Sequence, residues 1–180
     1  MNVYACRWRD VNVAFDPLWI HVYAWAMADV LKMAKTIASE CVAHRARQVA
    51  RVLTRAYDES IRSLGIQISQ LILLVAIADA GEEGAPIGQI AKVVLMDQTT
   101  LSRNIVPLEK AGLVKLMSSS HDGRSRVAVL TGAGKRMIKA AYPRWKAAQR
   151  EVRRLVGAAR FEALHDDLGA IVGIADDLSG

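Results

Sequence analysis

The fold is decided by residues 97–131, DQTTLSRNIVPLEKAGLVKLMSSSHDGRSRVAVLT, in which an amphipathic helix precedes two short apolar runs. Residues three or four positions apart share one face of a helix, at about 100° per residue. The apolar stripe consists of Leu101, Ile105 and Leu108. The opposite face carries Thr99, Arg103 and Lys110. The spacing predicts a helix over 97–111 that packs one face and exposes a polar one.

Both ends of this helix carry sequence signals. Asp97 is a predicted N-cap, because its carboxylate can accept hydrogen bonds from the free backbone N–H groups of the first turn. Gly112 favours a stop at the other end. Pro107 removes one backbone donor and predicts a kink in the second half, beyond the polar residues.

The polar face offers side chains that suit a DNA groove. Short hydroxyl and amide groups and forked guanidinium groups meet base edges and phosphates in the major groove. The candidates for DNA binding on the helix are Gln98, Thr99, Thr100, Ser102, Arg103 and Asn104. The leading hypothesis is therefore DNA binding, with this helix in the major groove.

Two short apolar runs, 113–118 and 127–130, follow the helix and predict strands. The dipeptide Asp122-Gly123 between them is a hairpin signal, because both residues tolerate the positive φ of a tight turn. Arg124 and Arg126 then lie near a projecting tip, where a guanidinium can enter the minor groove. A solvated hairpin with ordinary surface arginines is the alternative, and the preceding helix favours DNA contact.

The order of these elements resembles the MarR (multiple antibiotic resistance regulator) family of winged helix-turn-helix transcription factors. The resemblance covers about residues 36–178. It is carried by PIGQIA at 86–91, by 97–114 ending in LEKAGLV, by DGRSR at 122–126, and by Leu130-Thr131 with Gly134. It implies a mainly α fold with a small β-hairpin, in which N- and C-terminal dimerisation helices flank a winged helix-turn-helix lobe.

The resemblance also implies roles for particular residues. The segment 86–95 would be the support helix and 97–111 the recognition helix. Arg124 would enter the minor groove, and Asp122 would orient it through a salt bridge. The family further suggests a ligand-responsive regulator, a repressor released by a small aromatic or phenolic effector. Residues able to line such a pocket are His44, Arg51 and Trp145.

The predicted organisation is one regulator domain, 36–178, preceded by an extension. Residues 66–131 are its DNA-binding lobe, and 36–65 and 132–178 are dimerisation helices. Long apolar stripes on helices that flank a small lobe are best buried by a second copy. We therefore predict a homodimer that binds an inverted-repeat operator in double-stranded DNA. The extension, 1–35, is either an extra helix or the product of a mis-assigned start.

Charge supports the same partner. The chain has 24 Lys and Arg against 18 Asp and Glu, a net charge of +6. Residues 97–160 hold 14 of the basic residues and 4 of the acidic ones, so this segment alone carries +10. An excess of this kind attracts polyanions and makes their binding sensitive to salt. Part of it belongs to a solvated helical face.

The sequence contains no residue pattern typical of a metal site, a catalytic site or a membrane-spanning helix. The four histidines lie on separate segments without a second ligand at metal spacing, so neither a metal nor another cofactor is expected. Ser, His and Asp at 118–122 are neighbours in a turn and cannot converge as a catalytic triad, so we do not expect an enzyme. The apolar run 17–28 is shorter than the roughly 20 residues that span a bilayer. We predict a cytoplasmic protein without a membrane partner.

Two alternative functions stay open. The resemblance implies a thiol-based redox sensor as one alternative, because Cys41 falls near the start of the proposed dimer helix, where some family members carry a peroxide-sensing thiol. His44 and Arg45 are the only basic neighbours in reach, and an inert thiol is the commoner case. The helices could also form a protein-interaction dimer that lacks specific DNA binding. Two cysteines in all give no disulfide framework and fit a reducing compartment.

Overall fold

Helices form most of the chain in the computed structural model, which describes residues 17–118 and 126–178. The α-helices are α1 Pro17–Glu40, α2 Val42–Ile61, α3 Ile68–Asp79, α4 Ile87–Val93, α5 Gln98–Lys110, α6 Gly132–Val156, α7 Ala158–Gly173 and α8 Ala175–Leu178. A 3-10 turn, Arg62–Leu64, lies between α2 and α3. The strands are β1 Ala85–Pro86, β2 Val114–Ser118 and β3 Arg126–Leu130.

The strands form an antiparallel sheet in the order β1-β3-β2. Strand β2 pairs with β3 from Val114 opposite Leu130 to Ser118 opposite Arg126, as the predicted hairpin requires. The predicted fold class, mainly α with a small β-hairpin, is confirmed. Strand β1 was not predicted, because its two residues form no alternating pattern. Pro86 belongs to this strand, so the support helix is α4 and is shorter than the predicted 86–95.

Helix α5 matches the predicted recognition helix within one residue at each end. Asp97 is its N-cap and Ala111 its C-cap, and the helix continues through Pro107 to Lys110. Gly112 follows with a φ of 68°, in the left-handed region where a residue without Cβ meets no steric penalty. The predicted apolar stripe is confirmed, because its three residues are fully or almost fully buried.

A single core joins the elements from the end of α2 to α6. Its largest contribution comes from α3, through Leu71, Leu73, Leu74 and Ile77. The other helices and the sheet add Ile61, Ile90, Leu101, Ile105, Leu108, Val114, Ala128, Leu130 and Ala141. Contacts of α3 with α5, α6 and β3 place this helix at the centre of the lobe.

The start of α6 is tied to the end of α5 by a threonine and a glycine. Thr131 Oγ1 accepts a hydrogen bond from Gly134 N at 3.0 Å and donates one to Gly112 O at 2.7 Å. A Cβ on Gly134 would lie 2.2 Å from Leu113 O, so only glycine allows this close approach. The long helix α6 is thereby fixed to the same lobe that carries α5.

Two compact units divide the chain, Met1–Val49 and Ala50–Gly180. The first contains α1 and the first two turns of α2, and the second contains the remaining elements. The predicted boundaries separate segments by role: an extension up to residue 35, a DNA-binding lobe at 66–131, and dimerisation helices on either side of that lobe. They remain predictions.

Within the described part of the chain, no single helix is long and apolar enough to cross a membrane. One bent pair of segments, Val42–Leu64 and Ile68–Asp79, would be long and apolar enough if its two halves were taken together, but the halves meet at an angle of 78°. Its second half, α3, provides four of the buried core residues.

Candidate nucleic-acid interface

The N-terminus of α5 is held by a well-formed cap. Asp97 Oδ1 accepts a hydrogen bond from Thr100 N at 2.8 Å, and Asp97 Oδ2 accepts one from Thr100 Oγ1 at 2.7 Å. These hydrogen bonds favour the ionised carboxylate and lower the pKa of Asp97. The cap fixes where the helix begins and therefore which residues form its first exposed turn.

Four of the six predicted DNA-binding residues on α5 share an exposed face. At about 100° per residue they occupy an arc of about 140°. They are Gln98, Thr99, Ser102 and Arg103, and all four are exposed. Ser102 Oγ donates to Gln98 O at 2.8 Å, within the helix. The buried apolar stripe lies under this face and anchors it to the core.

The other two, Thr100 and Asn104, are half-buried and bonded within the protein. Thr100 completes the cap. Asn104 Nδ2 donates to Thr100 O at 2.9 Å, and its Oδ1 accepts a hydrogen bond from Ser69 Oγ of α3 at 2.8 Å. Asn104 thus links α5 to the central helix, a contact that sequence reasoning missed because Ser69 lies 35 residues away.

The hairpin is described only in its paired part. Arg126 is exposed at the start of β3, opposite Ser118. The predicted minor-groove residue Arg124 and its support Asp122 lie outside the described residues. Their roles therefore remain predictions.

An apolar cavity of about 350 Å³ lies beside α3, between that helix and α6. Its walls are Ile68, Leu71, Ile72, Val75, Ile138, Tyr142 and Trp145. The Tyr142 and Trp145 rings stack, with centroids 5.9 Å apart and an interplanar angle of 28°. A volume of this size lies within the range of small-molecule pockets, roughly 300–1,000 Å³.

A second cavity of about 280 Å³ adjoins the first and shares the walls Ile68, Ile72 and Trp145 with it. Its remaining lining comes from α2, through Ala50, Leu53, Thr54 and Tyr57. The Tyr57 hydroxyl donates a hydrogen bond to Gln149 Oε1 of α6. Burial raises the pKa of Tyr57, because the phenolate would lose hydration there.

Of the three predicted effector residues, Trp145 lines both cavities. Arg51 is exposed on α2 and lines neither cavity, and His44 is exposed in the other compact unit. Sequence reasoning missed Ile72, Val75 and Tyr142. The available signal was that 69–80 is apolar on all sides, which leaves more apolar surface than one core needs.

Two further predictions concern Cys41 and the absence of a metal site. Cys41 lies between α1 and α2, half-buried, and its Sγ accepts a hydrogen bond from His44 N at 3.4 Å. Its role as a sensor remains a prediction. The described residues contain no cluster of three or more His, Cys, Asp or Glu side chains able to hold a metal ion.

Known proteins share this arrangement. A family model described as MarR family matches residues 64–125, which include α3, α4, α5 and the strand β2. The DNA complex of the transcriptional regulator MosR from M. tuberculosis superposes with a TM-score of 0.68 at 28% identity. The match covers 77% of this chain and 98% of MosR. Residues 64–125 therefore match the MarR family, and the chain shares its fold with transcriptional regulators of this type.

Other MarR-like structures show the same fold at lower identity. The transcriptional repressor CouR bound to a 23-mer DNA duplex has a TM-score of 0.66 at 20% identity, over 75% of this chain and 94% of CouR. CouR from Rhodococcus jostii RHA1 bound to p-coumaroyl-CoA gives 0.63 at 19%, over 74% and 93%. The family match at 64–125 and the DNA complex of MosR, at 28% identity, together indicate a DNA-binding transcription regulator of the MarR type.

One curated relative belongs to another class. The phenylalanine--tRNA ligase alpha subunit of Pyrococcus abyssi is 36% identical over 104 residues, or 56% of this chain. The chain spans about a fifth of that subunit's length, since the match covers 20% of it. The ligase activity belongs to that protein.

Proposed function

We propose that this protein is a MarR-type repressor that binds an inverted-repeat operator as a homodimer and is released by a small aromatic or phenolic effector. Residues 66–131 act as the DNA-binding lobe, and 36–65 and 132–178 as the dimerisation helices. The protein works in the cytoplasm, where chromosomal DNA is accessible.

One observation carries the DNA-binding part of the proposal. Helix α5 buries its apolar stripe in the core and presents Gln98, Thr99, Ser102 and Arg103 together on its exposed face. Thr99 and Arg103 are the proposed base readers, because a hydroxyl and a forked guanidinium suit base edges in the major groove. Thr100 and Asn104 act by positioning this face, since their polar groups already bond within the protein.

The wing completes the proposed contact. Arg124 is the proposed minor-groove residue, Asp122 its support, and Arg126 a phosphate contact at the base of the wing. The exposure of Arg126 at the start of β3 supports a role at the surface.

Exposed apolar side chains on the last helices support the dimer. Leu155 of α6 is 68% exposed and Val172 of α7 is 58% exposed, and Leu168 and Ile171 lie on the same helix as Val172. Such side chains are the ones that a second copy covers. A two-fold dimer would set its recognition helices roughly 34 Å apart, one turn of DNA.

The cavity beside α3 is the proposed effector site, and α3 is its connection to DNA. One face of α3 lines the cavity through Ile72 and Val75, and Ser69 bonds the recognition helix. An effector that favours one position of α3 would shift the population of recognition-helix spacings. Coupling of this kind changes the affinity for the second ligand, here operator DNA, by about 5- to 150-fold. The p-coumaroyl-CoA bound to CouR supports an aromatic effector.

The central test replaces Arg103 by Ala and measures affinity for operator DNA, selected from random sequences by the purified protein. We expect a loss of about 1–3 kcal/mol in binding, together with relaxed preference at one base position. Arg62→Ala removes the same charge from an exposed ion pair with Glu59 and is the matched control. Equal losses in the two variants would reduce the contact to general electrostatics.

The dimer has its own test. Ile171→Asp places a charge on the exposed apolar face of α7, and light scattering should then report a monomer that binds the inverted repeat weakly. A wild-type protein that is monomeric yet binds a single half-site at full affinity would overturn this part.

A further inference from the structure

The walls of the two cavities carry no charged side chain. The lining residues of the larger cavity are aliphatic or aromatic, and those of the smaller one add Thr54 and Tyr57. Polar side-chain atoms in the lining are therefore limited to the hydroxyls of Thr54, Tyr57 and Tyr142 and the indole N–H of Trp145. A ligand bound there meets hydrocarbon on the sides that these walls cover.

Basic side chains near these walls are directed to other partners. Arg144, next to Trp145 in sequence, donates from Nε to Ser63 Oγ at 3.1 Å and from a terminal nitrogen to Ala140 O. Arg55 of α2 donates to Arg51 O. Lys146 Nζ lies 5.8 Å from the Tyr142 ring centroid and is not part of the lining. No guanidinium or ammonium group among these lines the cavity as a partner for an anion.

This composition decides which charge state of a ligand is accepted. A carboxylate moved from water into an apolar site without a cation loses its hydration and gains no ion pair. The burial that raises the pKa of Tyr57 acts in the same direction, since it disfavours negative charge in the smaller cavity. A neutral hydroxyl, in contrast, needs one hydrogen-bond partner, and the Tyr57–Gln149 pair offers it.

We propose that the cavity selects an uncharged ligand, with an aromatic body against Trp145 and Tyr142 and one hydroxyl directed at the Tyr57–Gln149 pair. This inference rests on the proposed function, because it names the chemical class that the effector site takes. It separates this chain from a sensor of aromatic acids, which would require a cation in the lining.

The test compares three probes of similar size by calorimetry on the full-length protein, without DNA. They are para-ethylbenzyl alcohol, para-ethylbenzoate and para-diethylbenzene. At neutral pH we expect the alcohol to bind on the order of tenfold more tightly than the carboxylate, with the hydrocarbon in between. A carboxylate that binds as tightly as the alcohol would overturn the inference, and so would failure of all three to bind.

Three variants identify the groups responsible. Tyr57→Phe should bring the alcohol's affinity down to that of the hydrocarbon and leave the hydrocarbon's affinity unchanged. Ile72→Lys places an ammonium in both cavities from a half-exposed position and should shift the preference toward the carboxylate, by about tenfold. If the wild type binds the carboxylate and Lys146→Gln abolishes that binding, Lys146 is the anion partner and the inference is wrong.

DNA binding is measured separately, so that the two proposals fail in different ways. An alcohol that binds with the expected preference but leaves operator affinity unchanged supports the ligand class and refutes release by an effector. A carboxylate that binds more tightly and releases DNA supports regulation at this cavity and refutes the uncharged ligand.

Discussion

Helices α5 and α3 are nearly equal in length and pack against each other. They differ in how well their sequences predict which residues are buried and which are exposed. In α5, polar and apolar residues alternate with helical spacing, and the apolar positions are the buried ones. Helix α3 is apolar almost throughout, yet Ile72 and Val75 are 47% and 49% exposed and line a cavity. The exposed face of an amphipathic helix can be predicted from residue type. The exposed face of a uniformly apolar helix cannot, because its buried and exposed positions carry the same kinds of side chain.

The sharpest test of this comparison removes one apolar side chain from each helix. Leu101→Ala should cost about 2–5 kcal/mol of unfolding free energy, because Leu101 is fully buried and leaves a void. Ile72→Ala should cost under about 1 kcal/mol, because half of that side chain is already in water. Urea unfolding followed by circular dichroism measures both. Equal losses would mean that Ile72 is covered in solution, and the contrast between the helices would disappear.

The hydrogen bond that joins the two helices gives a smaller effect. Ser69→Ala removes the donor to Asn104 and should cost about 0.5–1.5 kcal/mol of stability. Ser102→Ala removes an exposed hydroxyl that bonds only its own helix and should leave stability nearly unchanged. If the proposed coupling is right, Ser69→Ala should also weaken the effect of a bound ligand on operator affinity. A fully retained ligand effect would place the coupling elsewhere.

The turn before α5 contains a strained residue whose relief is measurable. Leu95 has a φ of 50°, a left-handed conformation that costs side-chain-bearing residues energy, and it is 58% exposed. Leu95→Gly should therefore stabilise the protein by up to about 1 kcal/mol, after the added freedom of the unfolded chain is subtracted. Val93→Gly, two residues earlier in α4, should destabilise it. A loss of stability in Leu95→Gly would show that its side chain contributes packing.

The smallest effect concerns the cap of α5 and depends on pH. The folded pKa of Asp97 is lowered, so its contribution to stability is fully present above the ordinary aspartate pKa of about 3.9 and is lost as pH falls through the lower folded value. Asp97→Asn keeps an N-cap that does not titrate. The Tm difference between wild type and this variant should be constant near neutral pH and shrink in acid. A difference independent of pH would contradict the assigned role of the carboxylate.

Much of the fold could be predicted from local pattern. The periodicity of Leu101, Ile105 and Leu108 gave the buried face of α5, and Asp97 and Gly112 gave its ends. The hairpin followed from two apolar runs around a turn signal. These features depend on neighbours in sequence, which is why one chain suffices to find them.

The missed features depend on residues far apart in sequence. The pairing of Pro86 with Val127 could not be predicted, because a two-residue strand has no pattern of its own. The cavity escaped for a related reason, since Ile72 and Trp145 become its walls only when α3 and α6 pack. Of the predicted effector residues, Trp145 lies in the lining of these cavities, and His44 and Arg51 lie outside it, so their roles as effector ligands stay predictions.

The short strand β1 has a consequence for how molecules of this protein meet. A free sheet edge is a template for pairing with another chain, and this sheet has two edges. One edge is two residues long and contains Pro86, which has no N–H to donate, and the other carries the exposed Lys115. Neither edge favours the addition of another strand. We therefore expect the described sheet to resist pairing between protein molecules, even where several of them are bound close together on DNA.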